Sequence, residues 1–131
     1  MAVPPSGTKV LVVDDDKMFC HVIRSYLEEI GLSATVLHSG TGVVDKVREG
    51  FDIVLLDMYM ARETGVDVLI AIKDAFPNLP VIVMTGFSSN ELRQTTASLG
   101  ACEFLNKPFQ MTALRDKIAT LVSGDGQAKS E

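Results

Sequence analysis

A continuous apolar run that ends on a carboxylate limits most strongly what this chain can fold into. Residues 53–56 read Ile-Val-Leu-Leu, and Asp57 follows them directly. Four branched aliphatic residues in a row are too few for a helix and are typical of a strand that is buried on both faces of a parallel sheet. Asp57 is therefore predicted to lie at the carboxyl end of a buried strand, where open α/β sheets bind their ligands.

Two further strand-like runs end in polar residues. Residues 9–13 lead into the acidic triplet 14–16, and residues 81–84 lead into Thr85. Apolar residues at helical spacing follow each run, and Asp16 or a neighbour is predicted to cap the first helix. In chain order, helices are predicted over residues 18–30, 41–48, 66–76, 89–99 and 111–121, and two short strands over 34–38 and 102–105.

The alternation of five strands with five helices predicts a parallel sheet with right-handed crossovers and helices on both faces. At 131 residues the chain has the length of one domain, and 47% hydrophobic residues suffice for a core. Residues 1–8 are predicted to be a flexible lead, residues 9–122 the folded domain and residues 123–131 a flexible tail. The apolar stripe of the first helix, from Met18 to Leu27, is interpreted as core.

Composition and charge limit the partners. The net charge of -5 and the absence of a Lys/Arg-rich run argue against direct nucleic-acid binding. The first residues lack the basic and apolar regions of a secretory signal, and no apolar stretch reaches membrane-spanning length. Cys20 and Cys102 have no metal or redox spacing and are predicted to be free, buried thiols. These features predict a cytoplasmic protein whose partner is a protein or a small ion and not a membrane.

The residues at the predicted strand ends resemble the signature of the receiver domain of two-component response regulators, of the chemotaxis-regulator type. In order, they are Asp14, Asp15, Asp57, Thr85 and the pair Lys107-Pro108. The resemblance implies a flavodoxin-like, doubly wound fold of five βα units, whose five-stranded parallel sheet has the strand order 2-1-3-4-5. That order puts the first and third strands side by side and brings three carboxylates together. The resemblance also implies a cis peptide bond before Pro108.

Three carboxylates in one place predict a metal site. Two like charges 4 Å apart near a protein surface repel each other by about 4 kcal/mol. A hard divalent cation relieves this repulsion, and Mg²⁺ prefers oxygen ligands. The resemblance implies that Asp15, Asp57 and the carbonyl oxygen of Tyr59 bind Mg²⁺ directly, and that Asp14 contacts it through water.

The resemblance further implies a reaction. Asp57 is the nucleophile that accepts a phosphoryl group from a histidine kinase or a histidine phosphotransfer protein and becomes an aspartyl phosphate. Lys107 adds a positive charge and Thr85 a hydroxyl donor to the phosphoryl oxygens. As the switch, Thr85 then moves toward Asp57 and Phe104 turns inward. Many relatives have Tyr at this last position; Phe104 has no hydroxyl for the surface and is predicted to be biased inward even without phosphate.

Three residues depart from the family pattern, although Gly65 is retained. Ala61 follows Met60 where the family commonly has Pro, which predicts a more mobile loop. Tyr59 and Phe87 border the path of the attacking water in the family. Two aromatic side chains at these positions predict slow self-dephosphorylation and a long-lived phosphoryl group.

The predicted output surface is formed by the fourth helix, the fifth strand and the fifth helix, and its target is a downstream protein or an output domain. The sequence leaves open whether the chain is a stand-alone receiver or a piece of a larger regulator. It also leaves open whether phosphorylation drives homodimerisation. A receiver of this kind is a signalling domain and not an enzyme.

Four other interpretations compete with this one. A phosphohydrolase of the haloacid-dehalogenase type needs a second acid where this chain has Tyr59, and a flavodoxin-like carrier would meet an acidic loop that repels the flavin phosphate. A Walker-type nucleotide binder needs a GxxxxGK[ST] motif, which does not occur. A degenerate receiver that binds partners without phosphorylation stays as the alternative because of Ala61.

Overall fold

A five-stranded parallel sheet lies at the centre of the molecule. The computed structural model describes residues 3–61 and 63–122. Within these ranges the strands are β1 (Lys9–Val13), β2 (Ser33–Leu37), β3 (Ile53–Asp57), β4 (Tyr59–Met60), β5 (Glu63–Thr64), β6 (Val81–Thr85) and β7 (Glu103–Asn106). The helices are α1 (Lys17–Glu29), α2 (Val43–Val47), α3 (Gly65–Ala75), α4 (Asn90–Ser98) and α5 (Met111–Val122).

The order of the strands in this sheet is β2-β1-β3-β6-β7, and every neighbouring pair is parallel. Counted within the sheet alone, this is the predicted order 2-1-3-4-5, and the flavodoxin-like fold is confirmed. All five residues of β3 are buried, because this strand lies in the middle of the sheet and helices cover both of its faces. A strand buried on both faces needs apolar residues at successive positions, which accounts for the continuous apolar sequence of β3.

The sheet separates two apolar clusters, one on each face. Along β1, Val10 and Val12 pack with residues of α1 and α5, whereas Leu11 and Val13 pack with residues of α2 and α3. This alternation follows from the two-residue period of a strand. Helices α1, α2, α3 and α5 bury apolar residues against the sheet, whereas the buried residue of α4 is Thr96. This packing fixes the strand ends relative to one another.

The helix boundaries differ from the predicted ones in small ways that have local causes. Asp16 caps α1 as predicted, since its Oδ1 accepts a hydrogen bond of 3.0 Å from the amide of Phe19. The second helix begins only at Val43, because Gly42 has a φ of 76° in the left-handed region. The hairpin of β4 and β5, in which Tyr59 pairs with Thr64, was not predicted.

The two cysteines differ in their surroundings. Cys20 lies on the buried face of α1, as predicted. The prediction that Cys102 is buried is wrong: its side chain is exposed, because the residue enters β7 at the edge of the sheet, where no further strand covers it.

Only part of the predicted lead and none of the predicted tail falls within the described residues. The amide of Gly7 donates to the carbonyl oxygen of Gly31 at 2.9 Å, and the Thr8 hydroxyl donates to that of Pro5 at 2.6 Å. The flexibility of residues 1–8 stays a prediction, and residues 123–131 lie outside the described part. Among the helices described, none has the length and apolar character that crossing a membrane requires.

Candidate functional site

Three carboxylates meet at the carboxyl end of the sheet, as predicted. Asp14 follows β1 and Asp57 ends β3; the two residues are 0% and 4% exposed, and Asp15 is half-buried. One oxygen of each of the three carboxylates lies within 4.8 Å of the others. The cause is the strand register: Val13 pairs with Leu56, so Asp14 and Asp57, the next residues along the two strands, lie at the same level.

The backbone of Asp14 is held from three directions. Its amide donates to the carbonyl oxygen of Leu37 at 3.0 Å. Its carbonyl oxygen accepts from the Cys20 thiol at 3.2 Å and lies 3.1 Å from Nδ1 of His38, which must therefore carry the proton. Burial, and then the charge of Asp14, raise the pKa of the Cys20 thiol to about 12, so the thiol stays protonated and can donate.

Lys107 brings a positive charge to the acidic cluster. Its Nζ lies 2.6 Å from Oδ2 of Asp14 and 3.3 Å from Oδ1 of Asp57, and its side chain is 19% exposed. Burial lowers the pKa of this ammonium, but its hydrogen bond to Asp14 and the charges of both carboxylates outweigh burial and raise the pKa. The peptide bond between Lys107 and Pro108 is cis, as the resemblance implies.

The carboxyl group of Asp57 binds its proton more tightly than usual. Burial is the largest cause, the charge of Asp14 adds to it, and Lys107 opposes both; the result is a pKa of about 6. Burial and the charge of Asp14 thus outweigh the stabilisation that Lys107 gives to the ionised form of Asp57. Oxygen donors at this spacing match the ligands that Mg²⁺ prefers, so the residues present fit this ion.

The loop after β3 is tied to the acidic cluster. The amide of Ala61 donates to Oδ2 of Asp15 at 2.7 Å. Tyr59 lies in β4, and its ring meets the ring of Phe87 edge to face, with centroids 5.8 Å apart. The role of the Tyr59 carbonyl oxygen as a metal ligand stays a prediction.

Gly65 allows α3 to begin against the end of β3. A Cβ at this position would lie 2.5 Å from the carbonyl oxygen of Asp57 and 2.8 Å from Cα of Met58. The amide of Gly65 donates to the carbonyl oxygen of Met58 at 2.7 Å. No side chain fits here, which gives the physical reason for the glycine.

The two residues predicted to form the switch lie on adjacent strands. Thr85 is fully buried at the end of β6, and its Oγ1 accepts a hydrogen bond of 3.0 Å from the amide of Phe87. Phe104, in β7, is half-buried, and the Arg93 guanidinium lies over its ring at 4.6 Å from the centroid. The movement of both residues stays a prediction.

Two aromatic residues near Lys107 were missed in the sequence. The ring centroid of Phe19 lies 4.2 Å from Nζ of Lys107, and the ring of Phe109 meets the ring of Phe19 edge to face. Within the stripe that was interpreted as core, Met18 and Val22 are 71% and 46% exposed, so that interpretation is wrong for these two residues. Helical spacing alone does not reveal a contact between α1 and a loop more than eighty residues later.

Comparison with known sequences identifies the class of protein that has this sheet, these strand-end carboxylates and a lysine beside them. A sequence profile described as the response regulator receiver domain matches residues 10–119. The chain belongs to this family of signalling domains.

Relatives and solved structures agree with this assignment. The chain is 36% identical over 110 residues to the transcriptional regulatory protein ZraR of Salmonella typhimurium strain LT2, covering 83% of this chain and 25% of ZraR. It thus spans about a quarter of that relative's length. The receiver domain of the Francisella response regulator 1452 is 28% identical, with a TM-score of 0.83, over 89% of this chain and 98% of that one. A CheY-like receiver domain protein from Methanospirillum hungatei JF-1 shares the fold, with a TM-score of 0.87 at 24% identity, over 96% of this chain and all of the other.

Proposed function

We propose that this receiver domain accepts a phosphoryl group on Asp57, with Mg²⁺, from a histidine kinase or a histidine phosphotransfer protein. The observation that carries the proposal is the position of the Lys107 ammonium, 2.6 Å from Asp14 and 3.3 Å from Asp57. A charged lysine at a buried carboxylate with a raised pKa is suited to stabilise negative charge on an incoming phosphoryl group.

In the proposed reaction an oxygen of the ionised Asp57 forms a bond to phosphorus, and the bond between phosphorus and the donor's histidine nitrogen breaks. Lys107 holds a positive charge beside the transferred phosphoryl oxygens, and the hydroxyl of Thr85 donates to one of them. Asp15, Asp57 and the Tyr59 carbonyl oxygen would hold Mg²⁺, and Asp14 would contact it through water; the ion would supply further positive charge. Asp57 forms the one covalent bond between the domain and the phosphoryl group. The other residues therefore act by positioning the phosphoryl group and by stabilising its negative charge.

The proposed output is a change on the face formed by α4, β7 and α5. In the transfer of the signal, Thr85 turns its hydroxyl from the amide of Phe87 toward the phosphoryl group, and Phe104 turns further inward. A groove of about 480 Å³ lies on this face and is lined in part by Arg93, Phe104 and Lys117. Its target is a downstream protein, or an output domain if the chain is a piece of a larger regulator.

Location and partners follow from the same proposal. We place the domain in the cytoplasm, because Cys20 and Cys102 are free thiols, which suit a reducing compartment. The net charge of -5 supports a domain that does not itself bind nucleic acid. A degenerate receiver is less well supported, because the three carboxylates lie close together with Lys107 beside them, and the threonine is present.

Intact-mass spectrometry after incubation with acetyl phosphate tests the proposal. The wild type is expected to gain one phosphoryl group in the presence of Mg²⁺ and none in EDTA, and Asp57→Asn is expected to gain none. A folded wild type that gains no phosphoryl group from acetyl phosphate or from any histidine donor would contradict the proposed function and favour a receiver that acts without phosphate.

A further inference from the structure

We propose that Phe19 is a positioning residue that holds the Lys107 ammonium against Asp14 and Asp57; the proposal rests on the function proposed above. Nζ of Lys107 lies 4.2 Å from the centroid of the Phe19 ring. The face of an aromatic ring carries partial negative charge and attracts a cation within about 6 Å, more strongly where water is excluded. The lysine side chain is 19% exposed, so the ring covers a side of the ammonium that water would otherwise occupy.

Phe19 is connected to the acidic cluster by a closed circuit of contacts. Oδ1 of Asp14 accepts from the amide of Asp16 at 3.0 Å, and Oδ1 of Asp16 accepts from the amide of Phe19 at 3.0 Å. The Phe19 ring contacts the Lys107 ammonium, which returns to Oδ2 of Asp14 at 2.6 Å. The cap that starts α1 therefore also fixes the ring relative to the carboxylate that the lysine binds.

The ring has a second support from the loop that carries the lysine. Phe109 lies two residues after Lys107, and its ring meets the Phe19 ring at an interplanar angle of 86° with centroids 5.8 Å apart. Both rings also pack against the apolar cluster on the α1 and α5 face. Edge-to-face contacts of this kind add to the energy of simple burial. The ring that the ammonium contacts is thus held by α1 on one side and by Phe109 on the other.

This arrangement restricts what the lysine can do. An ammonium has three N–H donors, and those of Lys107 reach two carboxylates here while the ring blocks a swing toward α1. When a phosphoryl group arrives at Asp57, the Lys107 side chain already has the rotamer that places its ammonium beside Asp57. Positioning in advance of the reaction lowers the barrier without a new contact to the phosphoryl group.

A purely structural role for Phe19 makes a different prediction from the positioning role. Phe19→Leu keeps an apolar side chain but removes the ring face, whereas Phe19→Tyr keeps the ring. Phe51→Leu is the matched control, because Phe51 also lies under a lysine, with Nζ of Lys9 5.4 Å from its centroid, but near the opposite end of the strands. Each full-length variant is compared at equal folded fraction, measured by urea unfolding.

Two measurements decide the question. The first is the rate of phosphoryl gain from acetyl phosphate at saturating Mg²⁺; Phe19→Leu is expected to be about fivefold slower than wild type, while Phe19→Tyr and Phe51→Leu stay within twofold. The second is the proton NMR signal of the Lys107 ε-methylene, assigned by its loss in Lys107→Ala. The ring current should shift this signal upfield in wild type and Phe19→Tyr, and the shift should disappear in Phe19→Leu.

The outcomes separate this proposal from the proposed function. A wild-type rate in Phe19→Leu, or an equal loss in Phe19→Tyr, would overturn the positioning role. If the wild type gains no phosphoryl group, the proposed function fails; the NMR shift then decides alone, and its persistence in Phe19→Leu would overturn the role of the ring. Should Phe19→Leu be unfolded, Phe19→Met, which also removes the ring face, replaces it with the same expected and contrary results.

Discussion

Asp14 and Lys107, 93 residues apart in sequence, form a 2.6 Å ion pair in which the carboxylate is completely buried. The pair joins the end of β1 to the loop after β7, and so connects an inner strand of the sheet to the strand at its far edge. Since Lys107 lies farther from Asp57, at 3.3 Å, its stronger partner in this structure is Asp14. We expect the lysine to move its hydrogen bond from Asp14 toward the phosphoryl group when Asp57 is modified.

Removal of Lys107 should destabilise the domain. Lys107→Ala leaves Asp14 buried without its cation, and loss of one partner of a buried ion pair costs about 3–5 kcal/mol. Urea unfolding at pH 7 in EDTA measures the loss, and Mg²⁺ is expected to restore part of it. Lys117→Ala is the control, because its pair with Glu103 is partly exposed and should contribute about 1 kcal/mol or less. Equal losses in both variants would contradict the role given to the buried pair.

Replacement of Asp57 should stabilise the metal-free domain at neutral pH. The folded-state pKa of Asp57, about 6, lies above the ordinary aspartate pKa of 3.8. The folded state therefore binds this proton more tightly, and wild-type stability falls as pH rises between these values. Asp57→Asn removes the cost of ionising this carboxyl group in the folded state. Its free energy of unfolding at pH 7 should be about 1–3 kcal/mol higher than that of the wild type. The measurement is urea unfolding in EDTA from pH 4 to pH 8. A difference between the two proteins that does not change with pH would contradict the assignment.

A methyl group at residue 65 should lower the stability of the domain. Helix propensity favours alanine over glycine by about 1 kcal/mol, but the Cβ of Gly65→Ala would lie 2.5 Å from the carbonyl oxygen of Asp57, and such overpacking costs about 1–3 kcal/mol. We expect a net loss of stability and slower phosphorylation. Gly86→Ala is the control, since a Cβ there meets no atom within 4 Å. Thermal unfolding that ranks the two variants in the opposite order would refute the clash.

The two aromatic side chains beside the site should slow the loss of phosphate. The rings of Tyr59 and Phe87 meet edge to face at 85°, and we expect them to narrow the approach of water to Asp57. The double variant Tyr59→Asn with Phe87→Ser should lose its phosphoryl group about tenfold faster, which corresponds to a barrier lower by about 1.4 kcal/mol. The decay is followed by intact mass after the donor is removed. A decay rate unchanged from wild type would show that the rings do not restrict water.

The sequence predicts the parts of this structure that depend on local patterns. The apolar run that ends at Asp57 is a buried central strand, and Asp16 caps α1, because burial on both faces and capping both leave a signal in adjacent residues. The strand order came from the family resemblance, and the assembled acidic cluster follows from that order. Gly65 was noted only as a retained residue, since its close approach to Asp57 exists only after α3 has packed.

Features that depend on long-range contacts were not predicted. The β4–β5 hairpin is two residues long on each side and has no periodic signal. Phe19 looks like an ordinary core residue of α1, since its contact with Lys107 requires the ends of β1 and β7 to meet. Cys102 was expected to be buried because its neighbours are apolar, but exposure at the edge of a sheet is set by which strands pair.

The most direct test of the account is to locate the phosphoryl group chemically. After incubation with Mg²⁺ and acetyl phosphate, borohydride reduction converts an aspartyl phosphate to homoserine, which peptide mass spectrometry can place in the sequence. We predict homoserine at position 57 only, dependent on Mg²⁺ and absent from Asp57→Asn. Homoserine at Asp14 or Asp15, or at no position in protein that has gained a phosphoryl group, would contradict the assignment of Asp57 as the acceptor.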